Sequence, residues 1–196
     1  MSLLLTVHRA RGLFGRAIAE SGGLMAKTPS HAAADTTEFM AAAGVTSVAE
    51  LRALPVEELL RAHASMNAAR LSDPAGTIER TGNPVSFLPF MPVADGVVVP
   101  TDPLAAVAAG SAADVDVIAG SNLEEWKLFT LMVPTAAGDE ADLRRRLALV
   151  TDDVDGLLAA YGADHPEASV ADLVSAVMTD VVFRIPTAEL LDAQAA

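Results

Sequence analysis

The sequence predicts an α/β fold in which few strands are separated by long helical segments. Two short runs, RAIAES and VDVIAGSN, have the length of strands and are bounded by glycines or polar turn residues. The second run does not alternate apolar and polar residues, which is typical of a strand covered on both faces. Most of the remaining sequence has helical periodicity with N-capping residues and terminating glycines. Because so few strands make a poor sheet, further strands are expected to pair with them.

The first half of the chain is predicted to be mainly helical. The segment MSLLLTVHRARGLF is expected to form a helix that ends at Gly12, ahead of the strand RAIAES. Asp35 is expected to cap the next helix, and Ser47 with Glu50 forms a capping box for a third. The fourth helix begins at Pro55. Its expected apolar face contains Leu59, Leu60, His63 and Met66.

The second half begins with an irregular segment. Residues 72–92 are rich in Pro, Gly and Asn and are predicted to form a long surface loop, followed by a hairpin that turns at Asp95. A short helix capped by Asp102 leads to the second strand. The rest is predicted to be helical, with an interruption at Pro186.

Charge and composition exclude several classes of function. The 196 residues carry a formal net charge of −13, which argues against nucleic acid or an anionic membrane surface as a partner. There is no cysteine, so a disulfide, a zinc-thiolate site and a cysteine nucleophile are all excluded. The absence of cysteine and of a signal-peptide pattern favours the cytoplasm. The hydrophobic content of 52% indicates apolar faces meant for further parts of a fold.

Three segments resemble one known family. ARGLFGRAIAESGG resembles the strand that follows the nucleophile helix of type-B carboxylesterases, the family of para-nitrobenzyl esterases and cholinesterases. FLPFMPVADGVVVPTDPLAAVAAGSAADVDVIAGSNLEEWKLF is similar to the family's F.PV.DG…G.N.DEG..F block, and TDVVFRIPTAELLDAQAA to its later TD..F..P helix. The resemblance implies a partial α/β-hydrolase fold, its central portion with helical cap insertions. It divides a single partial domain, residues 1–196, into a helix and strand (1–23), a helical and loop insertion (24–92), a hairpin, helix, strand and acid motif (93–135) and a helical region (136–196).

The family's Ser-Glu-His triad gives a role to the stretch GSNLEEW. By resemblance, the triad acid falls on Glu125, whose carboxylate would fix the tautomer of the histidine. The alternative is a solvated helix start, where acidic side chains suit the helix dipole. Glu124 is expected to be a cap or solvated. Ser21 is expected, again by resemblance, to hydrogen-bond to the triad carboxylate, the alternative being a plain turn serine.

Other triad components are not recognisable in these 196 residues. No G-x-S-x-G nucleophile motif and no HGG-type oxyanion loop occurs, and the resemblance places the catalytic histidine after Ala196. None of the four histidines lies in the family's motif, and none is expected to replace the base: His8, His31, His63 and His165.

The chain is therefore predicted to be an inactive or truncated portion of a carboxylic ester hydrolase with an acyl-enzyme mechanism. No metal or cofactor is expected. The expected partners are a small-molecule ester for the intact enzyme and the missing parts of the fold. The alternative is a non-catalytic, cholinesterase-like interaction module. Several side chains are candidates either for an acyl pocket or for the core: Phe87, Phe90, Trp126, Phe129, Leu131 and Met132.

Overall fold

A computed structural model describes most of the chain as two compact units. The described residues are 1–81, 88–132, 139–148, 151–164 and 166–196. One unit, here called the strand unit, contains Met1–Thr28 and Met91–Ala196, and the other, the helical unit, contains Pro29–Phe90. The predicted single domain and its four segments stay a prediction.

The helical unit is built from four helices. They are α1 (Pro29–Ala43), α2 (Val48–Ala53), α3 (Val56–Ser72) and α4 (Pro74–Thr81). The predicted capping box is confirmed at α2, where Ser47 accepts from the Glu50 amide. The loop predicted over residues 72–92 is wrong over α4, where Asp73 accepts from the Gly76 amide and stabilises a new first turn; residues 82–87 lie outside the described chain.

A buried arginine links α3 to α1. Arg70 has no exposed side-chain surface, and its Nη2 donates to Asp35 Oδ1 and to Glu38 Oε2, both at 2.6 Å. The predicted N-cap at Asp35 is therefore wrong, because α1 begins six residues earlier and this carboxylate pairs with Arg70. The predicted apolar face of α3 is also wrong at Leu60, which is exposed. The face that packs against Phe39 contains Leu59, Ala62 and Met66.

The strand unit contains two parallel strands among its described residues. β1 (Arg16–Glu20) and β2 (Asp116–Gly120) pair in register, with Glu20 opposite Gly120. Both predicted strands are confirmed. The amide of Ser21 donates to the Gly120 carbonyl at 2.8 Å and so extends the ladder by one residue. This register places the residues that follow the two strands side by side.

The two faces of this sheet differ sharply. Ala17 packs against a core that includes Leu5, Val107 and Leu190. On the opposite face Ile18 is 60% exposed and Ile118 is 68% exposed. The expectation that β2 is covered on both faces is therefore wrong for the described chain, because no described residue buries this second face.

Helices contribute Val107 and Leu190 to the inner face, and further helices continue to the end of the chain. They are α5 (Pro103–Ala108), α6 (Lys127–Met132), α7 (Glu140–Leu147), α8 (Val154–Asp164), α9 (Val170–Thr179) and α10 (Ile185–Ala195). The predicted Asp102 cap of α5 is confirmed, since its carboxylate accepts from the Ala105 amide. The interruption at Pro186 takes the form of a π-helical turn, Asp180–Arg184, between α9 and α10. Proline supplies no N–H and its ring crowds the carbonyl four residues earlier, which favours such a wider turn.

Two further expectations are wrong. The first fourteen residues form two short 3₁₀ turns, Ser2–Leu5 and His8–Ala10, in place of one helix. The predicted hairpin at Asp95 is absent from the described chain, because its Oδ1 accepts from the amides of residues 97, 98 and 99 and closes a tight loop.

The buried arginine leads to a prediction about stability. Arg70→Ala leaves Asp35 buried without this partner, which costs about 3–5 kcal/mol in comparable ion pairs. We expect the helical unit to unfold at a clearly lower urea concentration. The measurement is hydrogen exchange of the α3 amides at increasing urea concentration. The matched control on the same helix is Arg61→Ala, whose exposed pair with Glu58 is worth no more than about 1 kcal/mol. Equal effects of the two changes would contradict the prediction.

Candidate active site

The site is the turn that follows β2, residues 121–126, here called the acid turn. Glu125 is half-buried in it. Ser21 follows β1 at the same edge of the sheet, and its Oγ donates to Glu125 Oε1 at 2.5 Å. These residues are 104 positions apart in sequence, so the parallel pairing of the strands brings them together.

The carboxylate has a second donor within its own turn. The Asn122 backbone amide donates to the same Oε1 at 2.6 Å. Glu125 thus closes the acid turn while it also accepts from Ser21. A carboxylate at a helix start would account for the contact with the Asn122 amide, since α6 begins two residues after Glu125. It would not account for the contact with Ser21, which follows a different strand.

Ser21 has an unusual backbone. Its φ is 56°, and among the described residues other than glycine it alone has a positive φ. The left-handed region costs of order 1 kcal/mol for a residue with a Cβ, and such conformations persist where surrounding contacts fix them. Here the Ser21 amide is held by Gly120 and its hydroxyl by Glu125.

The environment keeps Glu125 ionised. Burial acts to raise the pKa of this carboxyl, but the hydrogen bonds from Ser21 and Asn122 outweigh it and hold the pKa below its ordinary value. A carboxylate that is ionised and held by two hydrogen bonds to one of its oxygens can orient an imidazole and stabilise the imidazolium.

The neighbouring glutamate has a different environment. Glu124 is exposed and forms an ion pair of 2.7 Å with Lys127. This places it on the surface of the turn, apart from the contact between Ser21 and Glu125.

Residues of the α9–α10 region contact the acid turn, although none of them was expected to belong to the site from the sequence. Thr179 Oγ1 accepts from the Trp126 amide at 3.0 Å in a buried position. Arg184 Nη2 donates to the Leu123 carbonyl at 3.0 Å, and Arg184 also pairs with Asp180. The available signal was the segment TDVVFRIP, whose residue spacing resembles the family pattern.

The other candidates lie elsewhere. Within the strand unit, His8 sits in a 3₁₀ turn and has no hydrogen bond to Glu125. In the helical unit, His63 faces Asn67 Nδ2 at 3.1 Å, while His31 lies on α1. His165 and Phe87 fall outside the described residues.

Two of the aromatic candidates, Trp126 and Phe129, lie in a packed cluster. Trp126 is buried and packs against Phe129, which stacks on Phe183, whereas Leu131 is exposed. A cavity of about 640 Å³ lies beside the acid turn, lined by residues that include Leu123, Glu124, Tyr161 and Asp172. Neither Glu125 nor Ser21 lines it.

Metal binding and membrane insertion have no visible basis in the described part of the chain. Among those residues there is no cluster of three or more His, Cys, Asp or Glu side chains that could hold a metal ion. None of the described helices combines the length and the apolar character required to cross a bilayer.

Comparison with known proteins identifies the family. The model of the carboxylesterase family matches residues 1–196. The chain belongs to the carboxylesterase family. The resemblance predicted from the three sequence segments is thereby confirmed.

The relatives give the same result in sequence and in structure. The chain is 28% identical to the para-nitrobenzyl esterase of Bacillus subtilis over 66% of the chain and 24% of the relative, and 28% identical to carboxylesterase 1D of Mus musculus over 95% of the chain and 36% of the relative. A crystal structure of the Geobacillus stearothermophilus carboxylesterase EST55 at pH 6.2 matches 99% of the chain and 38% of its own length, with a TM-score of 0.74 and 28% identity. A para-nitrobenzyl esterase structure matches with a TM-score of 0.69 and 26% identity.

These matches also define the extent of the fold. The chain spans about a quarter to two fifths of the length of these carboxylesterases. Its fold is the corresponding part of their α/β-hydrolase fold, mostly helical with few strands, as predicted. The roles of Glu125 and Ser21 stay predictions.

The donors to Glu125 lead to a prediction about its ionisation. Ser21→Ala removes a hydrogen bond that favours the carboxylate, so the pKa of Glu125 is expected to rise. Because the folded-state pKa lies below the unfolded value, ionised Glu125 stabilises the fold above the unfolded pKa, and this contribution is lost as the pH falls through the folded pKa. In Ser21→Ala this contribution should be smaller, and its loss should be complete at a higher pH, because the folded-state pKa then lies closer to the unfolded value.

Carbon-13 NMR of labelled glutamate side chains measures this pKa directly. Ser21→Gly removes the same hydroxyl while relieving the left-handed backbone, so it separates the hydrogen bond from the strain. Glu124→Gln is the control and should leave the Glu125 titration close to that of the unmodified chain. A Glu125 pKa unchanged in both Ser21 variants would refute the contact as the cause.

Proposed function

We propose that this chain provides the acid component of a serine carboxylesterase, with Glu125 orienting the catalytic histidine during hydrolysis of a carboxylic ester. The observation that carries the proposal is the hydrogen bond between Ser21 and Glu125 at the strand ends, found in a member of the carboxylesterase family. Ligands and catalytic groups of open α/β sheets lie at this edge.

The proposed chemistry follows from the position of the carboxylate. A serine attacks the ester carbonyl while a histidine removes its proton, and the acyl-enzyme is then hydrolysed. Glu125 would accept the Nδ1 proton of that histidine, fix its tautomer and stabilise its cationic form. Ser21 and the Asn122 amide favour an ionised Glu125 because both donate to its Oε1.

The other catalytic groups of this mechanism would come from polypeptide other than these 196 residues. No G-x-S-x-G motif is present. Loss of nucleophile, base and oxyanion donors together removes the reaction and not merely its efficiency. We therefore expect the chain by itself to be inactive, and the exposed sheet face at Ile18 and Ile118 to be covered when the remaining parts of the fold are present. A cytoplasmic location stays a prediction.

The test compares two polypeptides in hydrolysis of p-nitrophenyl butyrate. One is the 196-residue chain, and the other is the chain expressed from its own locus together with the neighbouring coding sequence. We expect no turnover from the first and turnover from the second. In the second, Glu125→Gln should lower kcat by about 10⁴-fold, as removal of the orienting carboxylate does in serine proteases.

The controls distinguish an effect of Glu125 from an effect of the adjacent Glu124. Glu124→Gln should retain the activity of the longer polypeptide, because Glu124 pairs with Lys127 on the surface. Turnover by the 196-residue chain that disappears with Glu125→Gln would reveal an unrecognised nucleophile within it. Turnover by the longer polypeptide that resists the same change would remove Glu125 from the mechanism.

A further inference from the structure

The acid turn is anchored on both sides of Glu125 by one distant segment. Ahead of Glu125, the Leu123 carbonyl accepts from Arg184 Nη2 at 3.0 Å. After it, the Trp126 amide donates to Thr179 Oγ1 at 3.0 Å. The two anchors are separated by 61 and 53 positions from the residues that they hold, so neither contact arises from the local turn.

The anchoring segment also contacts the strand end that carries Ser21. A Cβ added to Gly23 would lie 2.4 Å from the Pro186 carbonyl oxygen, which is backbone and cannot move aside easily. Glycine at this position therefore permits the Ser21 turn to approach the start of α10. Residues 179–186 thus contact both turns whose side chains meet in the hydrogen bond between Ser21 and Glu125.

Contacts within and beside the π-helical turn hold Arg184 in position. Asp180 and Arg184 pair across it, and Tyr161 Oη donates to Asp180 Oδ2 at 2.5 Å. Asp180 is thereby fixed from α8 while it holds the guanidinium that reaches Leu123. π-Helical turns occur frequently at functional sites.

We propose that Thr179 and Arg184 are positioning residues that clamp the backbone of the acid turn and thereby hold the Glu125 carboxylate against Ser21. As a contribution to catalysis, this inference rests on the proposed function. As a statement about geometry, it can be tested without any turnover. The readouts are the pKa of Glu125 by carbon-13 NMR and the exchange rate of the Trp126 amide.

Thr179→Val keeps the shape of the side chain and removes the acceptor for the Trp126 amide. We expect this amide to exchange roughly fivefold faster, as for loss of one typical hydrogen bond. The pKa of Glu125 should rise in the same direction as in Ser21→Ala, because the carboxylate no longer sits in place for its donors. Thr179→Ser retains the acceptor and should restore both readouts.

The matched control is Thr187→Val. Thr187 is also buried, two positions into α10, and its hydroxyl has no hydrogen-bond partner among the described residues. This change removes an equivalent hydroxyl from the neighbouring helix and should leave both readouts at the values of the unmodified chain. It thus distinguishes the clamp from a general loosening of the core.

Arg184→Met provides a second variant at a partly exposed position, where misfolding is not expected. It should raise the pKa of Glu125, whereas Arg144→Met, which breaks a surface pair with Asp155, should not. Unchanged Glu125 titration in both clamp variants, with the expected rise in Ser21→Ala, would overturn the inference. The Glu125 titration could respond to Thr179→Val and Arg184→Met while ester hydrolysis by the longer polypeptide resists Glu125→Gln. This combination would support the clamp and overturn the proposed function.

Discussion

The parallel pairing of β1 with β2 is the constraint on which the site depends. The in-register alignment ends at Glu20 and Gly120, and only this register sets Ser21 beside the acid turn. A shift by one residue would turn every side chain to the other face of the sheet and separate Ser21 from Glu125. The inner core beneath the strands, with Leu5, Val107 and Leu190, fixes that register by burying one face only. The chemistry of the carboxylate is therefore a consequence of packing in the strand unit.

The sequence predicted the two strands and several helix caps correctly because their signals are local. Each strand is a short apolar run bounded by turn residues, and the Ser47 and Asp102 caps are formed by groups three residues apart. Other segments were predicted incorrectly, some because a local side-chain contact forms a different turn, as at Asp73 and Asp95, and others because a distant partner decides the structure. Asp35 has the composition of an N-cap, but its carboxylate pairs with Arg70, 35 positions away. A buried ion pair of this kind leaves no periodic signal in the sequence, since each member alone is typical of a solvated surface.

The same distinction applies within the site. The resemblance to the carboxylesterases drew attention to Glu125 and Ser21, because each lies in a short motif. Thr179 and Arg184 bind backbone atoms of the acid turn, and a backbone contact constrains the partner's position without constraining the partner's side chain. The identities of Leu123 and Trp126 therefore do not indicate that their backbone atoms are hydrogen-bonded to distant residues. The segment TDVVFRIP, which contains Thr179 and Arg184, resembles the family pattern, but the folded arrangement of α9 and the π-helical turn is what shows the backbone atoms that they contact.

Backbone anchoring also explains how the chain accommodates Trp126 directly after the acid, where the family pattern has glycine. The tryptophan side chain is buried against Phe129, which stacks on Phe183, while its amide is the group that Thr179 holds. An anchor that acts on the amide is indifferent to the size of the side chain, provided that the core has room for it. Phe129 on α6 and Phe183 in the π-helical turn form the core into which the tryptophan packs. This departure from the pattern therefore adds packing at the end of the acid turn. The position of Glu125 still depends on the hydrogen bonds that Thr179 and Arg184 form with the backbone of the turn.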